Sequence, residues 1–165
     1  MGADLYIESV FNRKYEALRP ELDRLSKAMS KARGEGDYER AEEIRKEYAT
    51  LCDEIWTEEN GYFRDSYNVT SILWRLGLSW WTDIGPMLDD EGYLHPKEIR
   101  ELLAYVESTE LNLPTREELE ENYAKVDNDE NSVESWHQYY IEKKDRFVRF
   151  LKRALELNEP IRCSI

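Results

Sequence analysis

Four charged residues stand inside the most aromatic stretch of this chain, and they are the side chains best placed to do chemistry. Residues 61–88 read GYFRDSYNVTSILWRLGLSWWTDIGPML, with Arg64, Asp65, Arg75 and Asp83 set among Tyr62, Phe63, Tyr67, Trp74, Trp80 and Trp81. Two guanidiniums could grip a carboxylate or a phosphate in bidentate fashion. Aromatic walls with a few converging polar groups are the usual form of a small-molecule site. On that reading the ligand-binding set is Arg64, Asp65, Tyr67, Asn68, Arg75, Trp80, Trp81 and Asp83. The competing arrangement is a buried ion-pair network, with Arg75 paired to Asp65 or Asp83. Large aromatics dominate core burial, and charges are rarely buried unless paired. Equal numbers of each sign and the adjacency of Arg64 and Asp65 favour the network.

Other chemistries are incomplete. Glu134 and His137 have the Glu-x-x-His spacing of a di-iron bundle, but the only other histidine, His95, has Gly92 three residues before it. Residues 87–98 place Gly92 and Glu98 as a calcium loop would, yet Met87 fills the first ligand position and Pro96 interrupts the second half. There is no Gly-x-Ser-x-Gly and no glycine-rich phosphate loop. Cys52 falls on an apolar seam, where a thiol packs as a small hydrophobe. Cys163 has Arg162 beside it to favour thiolate, a weak signal alone. The sequence therefore implies no metal, no cofactor and no assembled catalytic set, and leans away from an enzyme.

The elements that must position these residues are mostly helical. Phe11, Tyr15, Leu18, Leu22, Leu25, Met29 and Ala32 recur at alternating steps of four and three, a heptad seam. Pro20 lies within it, where a helix either kinks or restarts. Gly34 and Gly36 stop this helix, and Asp37 caps a second one through Ala41, Ile44, Tyr48, Leu51 and Ile55. So short a connection requires an antiparallel hairpin, packed seam to seam. Asn68 is positioned to cap a helix through Ile72, Leu73 and Leu76. Pro96 opens a helix bearing Ile99, Leu102 and Val106, and Thr115 with Glu118 forms a capping box for 115–125. Residues 127–131 read as an acidic loop, and 132–157 as a long final helix. The segments 4–7 and 160–165 are candidates for a short two-stranded clip joining the two ends, covered by helices. The expectation is one mainly α domain over 1–165, with the hairpin packed on the tryptophan-rich centre and the long last helix.

GADLYI at 2–7, YFRDSYN and LWRLGLSWW within 62–81, and EPIRCSI at 159–165 together resemble an uncharacterised family of small bacterial and phage-associated proteins. The resemblance implies a shared fold and structurally fixed ends. It carries no established activity and no site residues.

Charge bounds the partners. The net charge is −13, and it is uneven: 3 basic against 10 acidic residues in 34–60, and 4 against 15 in 89–135. Such a surface is repelled by nucleic acid and by anionic membranes. No apolar run is long enough to span a bilayer, and the start MGADLYIESVF has no secretory h-region. A cytoplasmic location with free thiols is expected. The leading functional expectation is a non-catalytic binding protein that engages a macromolecular partner, a basic protein, through acidic helical faces. The alternative is a small anionic-ligand-binding protein or enzyme using the central Arg/Asp/aromatic cluster, and a third is a DNA mimic. Nothing in the sequence sets an oligomeric state.

Overall fold

The computed structural model describes residues 2–122, 126–127 and 131–165. The expected end of the helix at 123–125 and the middle of the acidic loop, 128–130, lie outside the described residues.

Helices α1 (Glu8–Gly34) and α2 (Tyr38–Ile55) form the hairpin that the heptad seam requires. Asp37 caps α2 by accepting from the Arg40 N–H at 3.0 Å. The salt bridge from Lys14, early in α1, to Glu54, late in α2, shows the antiparallel sense. Leu25, Ala32, Ala41 and Ile44 are buried together in the distal half of the seam. Helix α1 runs unbroken through Pro20. Both Pro20 and Glu16, whose carbonyl loses its intrahelical donor, lie on the exposed face, where water replaces the missing bond.

The two-stranded clip proves to be the middle of a larger antiparallel sheet. Its strands are β1 (Gly2–Tyr6), β2 (Tyr62–Ser66), β3 (Tyr93–Leu94) and β4 (Ile161–Ser164), in the order β2-β1-β4-β3. β1 pairs with β4 as expected, Leu5 opposite Cys163, and also with β2, Leu5 opposite Phe63. β2 was not evident in the sequence. Its inward positions are Phe63 and Asp65, so a buried carboxylate breaks the apolar alternation that marks a strand. On its other face, Tyr62 is also buried, against the hairpin's Phe11 and Ile55.

Helix α6 (Val133–Leu157) covers the inner face of the sheet. Phe147 stacks on Phe63 with ring centroids 4.9 Å apart, and Phe150 and Leu151 complete the contact. Helix α4 (Pro96–Ser108) closes this core with Ile99, Leu102 and Val106. Between β2 and β3 the chain makes a single helical turn, α3 (Ile72–Arg75), then a π-helical turn at Trp80–Ile84 and a 3-10 turn. A short α5 (Arg116–Asn122) follows α4. None of the described helices is long and apolar enough to cross a membrane.

Two glycines are required by contact. A Cβ at Gly2 would run into the Asp65 carbonyl. Gly61 enters β2 at φ +74°, where a Cβ would also meet the Ile7 carbonyl at 2.9 Å.

Candidate functional site

Asp65 is the point on which the centre is built. Strand alternation turns its side chain inward, 1% exposed, against α6. There Lys143, itself 4% exposed, brings its Nζ to 2.7 Å from Oδ1. The Ile72 N–H donates to the same oxygen at 2.9 Å. Oδ2 accepts from Ser71 Oγ at 2.7 Å and from the Trp80 indole N–H at 2.9 Å. One carboxylate thus fixes the start of α3, the π-helical turn and the middle of α6. Lys143 also donates to the Thr70 carbonyl at 2.9 Å, so the ammonium too has an acceptor besides its ion-pair partner.

Arg75 is buried, as the sequence suggests, but its partner is neither Asp65 nor Asp83. Its Nη2 lies 2.7 Å from Glu118 Oε1, its Nε donates to the Val69 carbonyl at 3.1 Å, and Nη1 faces the Asn112 carbonyl at 3.4 Å. The Tyr140 ring lies 5.0 Å from the guanidinium carbon. Burial works against the Arg75 charge, yet Glu118 and Tyr140 outweigh it and hold the pKa above its ordinary value. The reason for the altered pairing is chain direction. Asp65 is already satisfied from α6, and Asp83 turns back to accept from the Ser79 N–H at 2.8 Å. Glu118 is also not a full capping-box member. Thr115 Oγ1 accepts from its N–H at 3.2 Å, while its carboxylate goes to Arg75.

The two-guanidinium grip does not assemble. Arg64, on the outward face of β2, lies 3.7 Å from Asp4, whereas Arg75 is enclosed with Glu118. Asn68 does not cap α3. It makes a local turn by accepting from the Thr70 N–H at 3.0 Å, and Ser71 is the cap.

Three of the candidate residues do come together. Tyr67, Trp80 and Trp81, with Trp74, Ser71 and Ser79, line an open cavity of about 260 Å³. The tryptophans divide unevenly around it. Trp80 is 2% exposed, but Trp74 and Trp81 are 50% and 57% exposed, so the centre is not the wholly buried block that its composition implies. Tyr67 and Trp81 are in contact, with centroids 4.4 Å apart. Burial raises the Tyr67 phenol, with Asp4 adding to the effect, so this wall is a neutral ring.

No family model, curated protein or solved structure matches this chain. The geometry of the centre therefore stands as the basis for a functional reading.

A shallower pocket of about 210 Å³ has Asp65 itself in its lining. Arg64, Lys143 and Arg146 line it with Ser66, Thr70 and Tyr139. Lys143, Glu118 and Trp74 are the central participants that sequence reasoning left out. Lys143 had a signal: it falls three residues after Tyr140 and four before Phe147, a charge at a core position of α6.

The remaining candidates are committed elsewhere. His137 Nε2 lies 2.8 Å from the Pro114 carbonyl. Asp89 accepts from the Glu91 and Tyr93 N–H groups and meets His95 at 2.6 Å, so its carboxylate organises a turn. Cys163 faces the core with its thiol pushed up to about 12 by burial, while strand alternation sends Arg162 to the opposite face. The arginine therefore does not activate it.

Proposed function

We propose that this chain is a cytoplasmic, non-catalytic binding protein whose partner is a basic polypeptide segment, docked on a joint aromatic and acidic face. The observation that carries the reading is the tethering of the aromatic cavity to the α4–α5 stretch. Tyr105 of α4 donates to the Leu76 carbonyl at 2.8 Å, and the Asn112 N–H donates to the Arg75 carbonyl at 2.8 Å. These bonds hold an acidic stretch against the end of α3, the turn that carries Trp74. In that stretch Glu101, Glu110, Glu117 and Glu121 are exposed and, among the described residues, without an ion-pair partner. The hairpin has exposed carboxylates as well, but Glu21, Glu42 and Glu43 are each held by an arginine three residues away, and neither exposed tryptophan, Trp74 or Trp81, lies on it. Exposed tryptophans are the residue type that most often anchors an interface, and surrounding carboxylates steer a cationic partner onto it.

The test is titration with a short peptide of alternating lysine and leucine and with its glutamate–leucine counterpart, followed by backbone amide NMR. The lysine peptide should shift α3, α4 and α5 and bind more weakly as salt rises. Equal binding of both peptides, or shifts confined to the hairpin, would overturn the reading.

The shallow pocket favours a second reading, a small oxoanion held by Arg64 and Arg146 with the Ser66 and Thr70 hydroxyls. A thermal-shift titration with inorganic phosphate and with acetate separates the two. Stabilisation lost in Arg64→Ala would support the anion.

A further inference from the structure

We propose that the aromatic cavity is a seat for a quaternary ammonium group, specifically the trimethylated end of a lysine side chain on the partner. The inference rests on the partner reading above and assigns the chemistry of its anchor. Four of the side chains that line the cavity are aromatic, three of them tryptophans, and none of the lining residues is basic. The faces of tryptophan rings attract cations more strongly than those of any other side chain. At about 260 Å³ the space falls below the usual range of about 300–1,000 Å³ for small-molecule sites, which suits the end of one side chain rather than a whole metabolite.

The polar groups around the cavity decide which cation it suits. A bare ammonium carries three donors and needs acceptors. The two hydroxyls within reach are already used as acceptors: Ser71 Oγ takes the Trp74 N–H at 3.3 Å, and Ser79 Oγ takes those of Trp81 and Thr82 at 3.3 and 3.4 Å. A quaternary ammonium has no donor to satisfy and keeps its charge, so ring faces are sufficient for it.

The walls are also fixed in advance. Trp80 is held edge-on by Asp65, which accepts from its indole N–H. That bond locks the buried ring in place among the cavity's lining side chains. Trp80 and Trp81 are sequence neighbours, which a regular helix would turn about 100° apart. On the π-helical turn from Trp80 to Ile84, closed by the Ile84 N–H on the Ser79 carbonyl at 3.2 Å, they diverge as well: Trp80 is 2% exposed and Trp81 57%, and the cavity is lined by both. Such turns recur where a helix is distorted for function.

The indole N–H resonances of Trp74, Trp80 and Trp81 report on the seat directly. Choline should shift them in a saturable manner, whereas its uncharged isostere, 3,3-dimethyl-1-butanol, should not at equal concentration. The lysine–leucine peptide carrying one central trimethyllysine should bind roughly tenfold tighter than the unmethylated peptide. Trp81→Ala, an exposed change that spares the core, should abolish that preference. Equal response to the neutral alcohol would overturn the proposal and leave a plain apolar pocket. Choline binding as tightly as the trimethyllysine peptide would overturn the assignment to a lysine side chain. If the unmethylated peptide binds the α3–α5 face while no cation moves the indoles, the seat is refuted and the partner face stands. If neither binds, both fall.

Discussion

Asp65 and Lys143 meet at 2.7 Å with both side chains sealed from solvent, joining a strand near the start of the chain's centre to the middle of its last helix. A pair this deep contributes through what happens when half of it is removed. Asp65→Asn or Lys143→Met alone should destabilise by about 3–5 kcal/mol, because the remaining charge is stranded in the core. The double variant should recover part of that loss. Chemical denaturation of the four-member cycle measures the coupling, and additive losses would show that the two charges do not depend on each other.

Arg75 and Glu118 should couple in the same way, but more weakly, since Glu118 keeps contact with solvent. Arg75→Ala should be the costlier change, leaving the Asn112 carbonyl without its guanidinium donor and the Val69 carbonyl with the Tyr140 hydroxyl alone. Asp83→Ala should behave independently of Arg75, within about 0.5 kcal/mol of additivity. Strong coupling of Arg75 to Asp83 would restore the pairing inferred from sequence.

The hairpin seam gives a simpler expectation. Leu25 and Ile44 are buried in one apolar cluster, so either changed to Ala should cost about 2–4 kcal/mol. Urea midpoints would reveal it. A loss below about 0.5 kcal/mol at both positions would place them on the surface.

The heptad steps made this hairpin readable because every seventh position repeats one physical requirement, which in the distal half of the seam is satisfied wholly within the hairpin. The centre was less legible for the opposite reason. Asp65 reads as a charge in a strand-length run, and only the distant Lys143 turns it into a core residue. The same non-locality hid the partner of Arg75, which lies in α5. Trp74 and Trp81 read as core by residue type, whereas α3 and the π-helical turn send both outward. Composition identifies which side chains can be buried; only the turn geometry decides which of them are.

Cys163 predicts a pH effect. Burial pushes its thiol from an ordinary 9.0 up to about 12, so the folded chain retains this proton to higher pH than the unfolded chain. The resulting stabilisation is complete below about pH 9 and declines as pH climbs from there toward 12, because the unfolded state ionises first. Between pH 8 and pH 10 the wild type should lose about 1 kcal/mol more than Cys163→Ala. Parallel urea titrations of the two proteins check this. Identical pH slopes would mean that the thiol titrates freely when folded.

The pairing of Leu5 with Cys163 across β1 and β4 has a consequence for timing. On the ribosome, α1 and α2 hold their seam partners within residues 8–55 and can close early. β1 emerges before either helix, yet its two neighbours arrive with residues 62–66 and then 161–164. Closing so long a loop is slow, since the entropy of joining distant segments is lost before any contact rewards it. Through most of synthesis the middle strand of the finished sheet is therefore an open edge, the kind of backbone that pairs with other chains. The interval before residues 161–164 appear, rather than the depth of the final energy minimum, is the period in which this chain is most exposed to aggregation.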